Sequence, residues 1–520
     1  MTQQEVIQRL QAWLAEQCRA PVECRETHIS WVWLTPERAY KVHKAVNLGF
    51  VDFSTLGFRL QDTLWEWQLN RRAAPRLYVG AWALRLTGDQ IKLVALPPDA
   101  PPQPDPADLD YVLEMRRFEP GQRFDELLDA GQLSPRLLDE LADAIAHLHA
   151  HCPAVRTPGL TDVSALNQAI ADNVRTVQAL PGDTEEKRLL ARHLDWLAQQ
   201  AARWSARMAQ RVNDGLLRDV HGDLHLQNIC LFENQVTLFD CLEFSARLRS
   251  IDLMNDLGFL IMDLLARSAR RQAWRLLNRY LQATGDHAGV ALLRYFMAYR
   301  AMVRIKVSKL SAHPDHTRYL ELIDALMHPP ARGLIITHGL SGSGKTTVTQ
   351  GLIETVGAVR LRSDVERRRW FPDEHLGTRY STDTTELTYA HLADTARDLI
   401  DSGHVVVVDA TFLSRSQRDR FKALAAALGV PFMIVHCQAD AAVLTSRVTQ
   451  RQLEGHDASQ ADTAVLAAQL AHYQPLGDDE AADTLVIDTQ REPEAWYQRD
   501  TWPVLIERLG LQGQTLPLLC

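Results

Sequence analysis

The 520-residue sequence predicts two domains of unlike class: an N-terminal α+β domain, with a small β lobe and a larger helical lobe, and a C-terminal α/β domain built on a parallel sheet. Three observations carry this. The chain is longer than one ordinary hydrophobic core supports. Short strands are the main pattern between about residues 29 and 115, with a helix before and one among them, and from about 120 to 311 the pattern is helical. After Pro329-Pro330, a short apolar strand runs into a glycine-rich loop and then a helix, as an α/β unit begins. The expected boundaries are 1–328, a linker at 329–332, and 333–520.

Taken in order, Val6, Leu10, Trp13 and Leu14 recur at helical spacing and predict an amphipathic first helix. Ile29–Leu34 and Ala39–Val46 are rich in β-formers and flank the turn sequence Thr35-Pro36-Glu37-Arg38, which predicts a hairpin. Leu64–Arg72 reads as helix, and Ile91–Ala95 and Tyr111–Met115 as strands. Pro97–Pro106 is too proline-rich to be regular and reads as a loop or lid. Long helical stretches follow at 124–150, 163–212, 255–285 and 288–311. Trp31, Trp33, Trp65 and Trp67 are expected in the core of the β lobe. In the second domain, strands are expected at Gly333–His338, Ala358–Leu361, Val405–Asp409, Phe432–Cys437 and Leu485–Asp488, giving a parallel sheet of about five strands.

Composition narrows the function classes. An apolar share of 46% and a charged share of 23% are those of a soluble globular protein. A net charge of −9 argues against a protein coated in nucleic acid, while leaving room for a local basic groove. The seven cysteines are odd in number and scattered, with no C-x-x-C pair, which reads as neither a disulfide framework nor a zinc site and fits a reducing compartment. No signal-like segment opens the sequence and no stretch approaches the ~20 apolar residues of a membrane span. A soluble, cytoplasmic protein without membrane partners is expected. The sequence does not reveal the oligomeric state.

Chemistry concentrates in two motifs. The first is His221-Gly222-Asp223-Leu224-His225-Leu226-Gln227-Asn228. Its Asp223 and Asn228 lie five apart in a segment too polar and irregular for a helix interior. Such a loop can aim a carboxylate at an acceptor hydroxyl while an amide oxygen holds a metal. Twelve residues beyond Asn228, the short apolar run Val236–Phe239 ends in Asp240, a second candidate metal carboxylate. Mg²⁺ favours few, hard oxygen ligands together with substrate phosphates, which matches this pair. His221 and His225 read as structural hydrogen-bonding residues.

On these residues, about 25–325 resembles the aminoglycoside phosphotransferase and choline-kinase-like family, relatives of the protein kinases. The resemblance implies a protein-kinase-like fold, Asp223 as catalytic base, and Asn228 and Asp240 as Mg²⁺ ligands. It also implies Lys41 as the lysine on the ATP phosphates, ahead of Lys44, with Glu66 as its ion-pair partner. Leu113–Arg117 would be the hinge that reads adenine, and Asp256 the brace of the catalytic loop. Two departures stand out. No G-x-G-x-x-G precedes Lys41, and the metal segment reads Phe239-Asp240-Cys241-Leu242-Glu243 rather than Asp-Phe-Gly. Glu243 then either supplements the metal shell or faces solvent.

The second motif is Gly339-Leu340-Ser341-Gly342-Ser343-Gly344-Lys345-Thr346, continued by Thr347, in a strand–loop–helix context that matches a Walker A P-loop. Its backbone N–H groups can wrap phosphates and the helix dipole adds to them. Lys345 is placed to neutralise the β/γ-phosphates, and Thr346 to offer its hydroxyl to Mg²⁺. Asp409 ends the Val405–Val408 run at a Walker B-like position, suited to a water-mediated contact with Mg²⁺. Asp364, in Arg362-Ser363-Asp364, is expected at the carboxyl edge of the sheet, where open α/β folds bind ligands, to activate an acceptor hydroxyl. Arg367 and Arg368 either orient that acceptor or form a solvated helix face. Arg447 and Arg451, one turn apart, serve either as lid arginines over the phosphates or as surface ion-pairing residues. Residues 332–500 resemble the small P-loop kinases of the polynucleotide kinase, gluconate kinase and zeta-toxin group.

Together these resemblances imply a bifunctional ATP- and Mg²⁺-dependent phosphotransferase acting on hydroxyl acceptors, most simply small molecules. The alternatives are a regulatory ATP-binding protein with one inactive head, or a C-terminal domain that phosphorylates nucleic-acid 5′-hydroxyls.

Overall fold

The computed structural model describes residues 1–48, 51–97, 101, 103–310, 316–328, 331–372, 381–454 and 462–511. By internal contacts the chain divides into two compact units, Met1–Asp162 with Met208–Leu260, and Val163–Arg207 with Ile261–Cys520. The expected linker falls partly outside the described residues, as does the Pro97–Pro106 loop.

The first unit opens with helix α1 (Gln3–Cys18), whose Thr2 and Glu5 form a capping box. A six-stranded antiparallel sheet follows: β1 (Glu23–Glu26), β2 (Ser30–Leu34), β3 (Arg38–His43), β4 (Tyr78–Thr87), β5 (Gln90–Ala95) and β6 (Asp110–Arg116). Its order is β1-β2-β3-β6-β4-β5. Helix α2 (Leu56–Asn70) lies between β3 and β4 in the chain. Strand alternation sorts side chains onto two faces. Trp33, Val42 and Val112 pack with Val6, Leu10 and Leu14 of α1, whereas Tyr111, Leu113 and Ala83 pack with Leu60, Leu64 and Trp67 of α2. The predicted tryptophan core holds for Trp33 and Trp67; Trp31 is half-buried and Trp65 is 40% exposed. Helices α3 (Phe124–Asp129) and α4 (Pro135–His151) come next in the chain. Beyond α5 (Val163–Gln178) and α6 (Thr184–Asn213) lie β7 (Leu217–Asp219), β8 (Ile229–Phe232), β9 (Gln235–Leu238), α7 (Ala246–Arg249) and β10 (Ser250–Asp252). Strands β8 and β9 form a hairpin, and β7 pairs with β10.

The second unit contains α5, most of α6 and four further helices: the end of α8 (Leu253–Ala266), then α9 (Arg270–Thr284), α10 (Val290–Leu310) and α11 (His316–Met327). It also holds a five-stranded parallel sheet of β11 (Gly333–His338), β12 (Val359–Arg362), β13 (Val405–Asp409), β14 (Phe432–Gln438) and β15 (Thr484–Asp488). The order is β12-β13-β11-β14-β15, with β11 central. The connecting helices are α12 (Lys345–Leu352), α13 (Ser363–Trp370), α14 (Thr382–Asp401), α15 (Arg415–Leu428), α16 (Ala441–Glu454) and α17 (Thr463–Ala471), before a final α18 (Pro503–Arg508). Strands β11 and β13 are buried along their whole length, as expected for a parallel sheet covered on both faces.

The outer strand β12 is met by α9. Asn278 donates from Nδ2 to the Ala358 carbonyl (2.9 Å) and accepts at Oδ1 from the Arg360 N–H (2.7 Å). One side-chain amide thereby satisfies backbone groups that an edge strand would leave open. Arg275 pairs with Glu354 at 3.0 Å, and Arg270 donates to the Val356 carbonyl.

Candidate active sites

In the first unit, β3 and α2 bring Lys41 and Glu66 together. Lys41 Nζ donates to Glu66 Oε1 at 2.8 Å and lies 3.5 Å from Asp240 Oδ1. Burial acts to lower the Lys41 pKa, but the carboxylates of Glu66, Asp240 and Glu243 outweigh it and hold the lysine well above its usual range. Burial likewise opposes the charge of Glu66, yet Lys41 and His43 pull it down to about 2. The pair is therefore a held ion pair. Lys44 points elsewhere: it pairs with Glu26 and lies over the Trp31 ring.

The His221–Asn228 loop sits against the same site. Asn228 donates from Nδ2 to Asp223 Oδ2 and to the Asp223 carbonyl, both at 3.0 Å, and approaches the Asp240 carbonyl at 3.5 Å. With the amide nitrogen so used, its oxygen is the atom offered to a metal. Asp240 has φ +58, and its N–H donates to the Tyr78 hydroxyl, while the Cys241 N–H donates to Asn70 Oδ1. These two contacts hold the carboxylate in a backbone conformation that few non-glycine residues adopt. Asp240 is half-exposed, with 48% of its side chain open. A carboxylate and an amide oxygen at the mouth of the site are hard donors suited to Mg²⁺ carried by a nucleotide.

The loop itself is braced. Asp256 accepts from the backbone N–H of His221 (3.3 Å) and Gly222 (2.9 Å), and lies 3.1 Å from His149 Nε2. His221 Nε2 contacts the Phe239 carbonyl at 2.9 Å, in keeping with a structural role, and burial lowers its pKa. His225 Nε2 lies 3.4 Å from Asp223 Oδ2.

Sequence reasoning missed His43 and Asp62, and the cluster they form with Glu66 and Glu243. His43, Asp62, Glu66 and Glu243 are all buried and their ligand-type atoms lie within 4.8 Å of one another. Glu243 therefore does not face solvent, because 4% of the residue is exposed. Burial pushes the Asp62 carboxyl up to about 6 and Glu243 well above its usual range. A signal was present: Lys41 and His43 share a strand face, and Asp62 and Glu66 are one helical turn apart.

In the second unit, the P-loop joins β11 to α12 as predicted. Gly339, Gly342 and Gly344 all have positive φ, and a Cβ on Gly342 would stand 2.7 Å from the Leu444 carbonyl oxygen. Only glycine fits there. Ser341, Gly342, Gly344, Lys345, Thr346 and Thr347 line one cleft with Asp364, Arg367, Asp409, Arg447 and Arg451. Ser343 lies within the loop, and its N–H donates to the Leu340 carbonyl. Lys345 Nζ donates to the carbonyls of Gly339 (3.0 Å) and Leu340 (2.8 Å), and burial lowers its pKa. Asp409 Oδ2 accepts from Thr346 Oγ1 at 2.9 Å and from Thr349 Oγ1 at 3.3 Å. This hydroxyl–carboxylate pair is a fitting donor set for a nucleotide-bound Mg²⁺.

Asp364 stands at the first turn of α13, with Arg367 Nη1 donating to it at 3.2 Å. Arg367 is buried, so it is not part of a solvated face. Arg447 spans the loop and the end of β15, donating to the carbonyls of Gly342 (3.4 Å) and Thr489 (2.8 Å). Sequence reasoning also missed Arg360, which donates to the Thr346 carbonyl and Thr349 Oγ1 from beneath the loop. The cleft is completed by Thr385, Tyr389, Thr411, Gln417, Gln469 and His472, a polar set with no motif to announce it.

Two family models match separate stretches of the chain. Residues 81–293 match the phosphotransferase enzyme family, and residues 334–476 match an AAA domain family. The chain thus carries a stretch similar to the phosphotransferase enzyme family and a stretch similar to an AAA domain family, which supports an ATP-dependent kinase. An uncharacterized protein of Mycobacterium tuberculosis (strain H37Rv) is 29% identical over 471 residues, covering 87% of this chain and 91% of that one. Among solved structures, a choline/ethanolamine kinase family protein from Mesorhizobium loti covers 62% of this chain and 96% of its own, with 15% identity and a TM-score of 0.38. A gluconokinase from Sinorhizobium meliloti covers 35% and 99%, with 21% identity and a TM-score of 0.27. Among the described residues, no helix is long and apolar enough to cross a membrane.

Proposed function

We propose that this chain, with its phosphotransferase-family domain and its P-loop domain, is a bifunctional kinase in which each domain transfers the γ-phosphate of ATP to a hydroxyl of a small-molecule acceptor. The functional division we propose is 1–328 and 333–520. The observation that carries the reading is that each site gathers a phosphate-type lysine and a metal-type carboxylate: Lys41 with Asp240 (3.5 Å), and Lys345 sharing a cleft with Thr346 and Asp409.

In the first domain, Lys41, held by Glu66, grips the nucleotide phosphates, and Asn228 and Asp240 would hold Mg²⁺. Asp223 accepts the proton of the acceptor hydroxyl as its oxygen bonds to the γ-phosphorus and the β–γ bridging bond breaks, releasing ADP. In the second domain, the loop N–H groups and Lys345 receive the phosphates, and Thr346 and Asp409 would hold the metal. Asp364 takes the acceptor proton. Arg447 fixes the loop against β15, and Arg451 faces the transferring group. When bound, Mg²⁺ supplies neutralisation of the phosphate charge in both sites. A small acceptor suits the second cleft because Thr385, Tyr389, Thr411, Gln417 and Gln469 are neutral hydrogen-bonding groups.

The test is phosphoryl transfer from labelled ATP to a panel of sugars, polyols, amino alcohols and a 5′-hydroxyl oligonucleotide. Asp223→Asn is expected to remove transfer to one class of small acceptor and Asp364→Asn transfer to another, each by ~10²–10⁴-fold. Labelling of the oligonucleotide alone, or nucleotide binding without transfer to any acceptor, would replace this reading.

A further inference from the structure

Of the buried cluster behind Lys41, only Glu66 has a part in the phosphoryl transfer proposed above, as the partner of Lys41. His43 comes from β3, Asp62 and Glu66 from α2, and Glu243 from the segment after β9, so three separate stretches of chain converge. His43 Nε2 lies 3.1 Å from Asp62 Oδ2 and 3.4 Å from Glu66 Oε2. Ligands held at the ~2.0–2.2 Å typical of a tetrahedral zinc site stand roughly 3.3–3.5 Å apart; the His43–Glu66 edge has that length, the His43–Asp62 edge is slightly shorter, and a Glu243 oxygen lies within 4.8 Å of the other three ligand atoms. His43, Asp62 and Glu66 are each at most 5% exposed at the side chain. Both ring nitrogens of His43, together with Asp62 Oδ2 and Glu66 Oε2, find no aligned hydrogen-bond partner although all are fully enclosed. Three carboxylates gathered around one imidazole, with enclosed oxygens and ring nitrogens that no aligned hydrogen bond satisfies, call for a cation beyond Lys41.

We propose that His43, Asp62, Glu66 and Glu243 form a binding site for one divalent transition-metal ion of the zinc class, distinct from the metal carried by the nucleotide. The imidazole nitrogen selects against Mg²⁺ and Ca²⁺, which prefer all-oxygen shells. Lys41 takes only Oε1 of Glu66, so Oε2 stays available to the ion and the one carboxylate can serve both. An ion here fixes Glu66 from behind and, through it, the position of Lys41. That consequence depends on the role proposed for Lys41; the site itself does not.

The experiment uses full-length, untagged protein, freed of metal by a chelator, dialysed, and titrated with Co²⁺ in the absence of nucleotide. One equivalent of Co²⁺ is expected to bind with the intense visible absorption of a four-coordinate site and to be displaced by Zn²⁺. His43→Gln and Asp62→Asn are each expected to weaken this binding at least tenfold. A cooperative urea unfolding curve like that of the wild type serves as the check that the variants are folded. If the variants do not fold, the wild-type titration and its spectrum decide the matter. The proposal is overturned by wild-type protein that shows no stoichiometric four-coordinate band, or by folded variants that bind Co²⁺ as tightly as wild type. Because no nucleotide is present, failure of this site is separable from failure of the kinase reading.

Discussion

His338 shows how one buried side chain can set a pH limit on the second unit. Its Nδ1 contacts the Phe412 carbonyl at 3.0 Å, which can only accept, so that nitrogen carries the proton and Nε2 accepts from the Tyr473 hydroxyl (3.1 Å). Burial, with His436 beside it and Arg418 nearby, lowers its pKa to about 4, against the weaker pull of Glu480. A histidine depressed in the folded state contributes stability that is present above its unfolded pKa of ~6.5 and is lost as pH falls toward 4, here roughly 3 kcal/mol. Urea unfolding at pH 7 and pH 4.5 should show this loss, and His338→Asn should reduce the difference; an unchanged difference would remove His338 as its cause. Among the functional candidates, Asp223, Asn228, Asp240, Lys345 and Asp409 could be read from the sequence because their spacing is dictated by a short loop or by one strand end. Arg360 and the cleft's Tyr389 and Gln469 could not. They arrive by tertiary packing from elements far apart in sequence, and no local spacing records that.

At the level of elements, the two loops depend on glycine for different reasons. Gly222 has φ +82, and a Cβ there would stand 2.9 Å from Arg249 Cβ and 3.1 Å from its Cα. Gly222→Ala is expected to cost about 1–2 kcal/mol through the left-handed backbone alone, and more through the clash, with loss of nucleotide binding in the first domain. Gly342→Ala meets the Leu444 carbonyl instead and should abolish binding at the P-loop while leaving the first domain intact. Calorimetric titration of each variant with a Mg²⁺–ATP analogue checks both, and equal effects on the two sites would contradict the account. The P-loop strands were legible almost to the residue, since fully buried parallel strands read as continuous apolar runs such as Val405–Asp409. In the β lobe, β1 and β4 were not foreseen. All four residues of β1 are exposed, so it carries no apolar signature, and Gly80 interrupts β4 where its register with β6 shifts. Helix α2 also begins eight residues earlier than expected, at Leu56 rather than Leu64, because Thr55 caps it by accepting from the Phe58 N–H.

For the molecule as a whole, the division of chemistry and the division of packing do not coincide. The boundary proposed at 329–332 separates two motifs, yet α9 precedes that boundary and belongs to the same compact unit as the P-loop sheet. Asn278 is the clearest link, since its amide meets both a carbonyl and an N–H of the outer strand region. Asn278→Ala should destabilise the protein by ~1–3 kcal/mol, and a fragment beginning at Ala331 should melt well below the full chain; equal melting temperatures would refute the dependence on α9. No sequence pattern announces such a contact, because a single asparagine in a helix reads only as a weak helix former. The central claim, that one chain holds two separate Mg²⁺–nucleotide sites, is tested most directly by calorimetric stoichiometry with a non-hydrolysable ATP analogue. Two equivalents are predicted for the wild type, one for Lys41→Ala, one for Lys345→Ala, and none for the double variant. A wild type that binds a single equivalent, or either single variant that loses both, would contradict it.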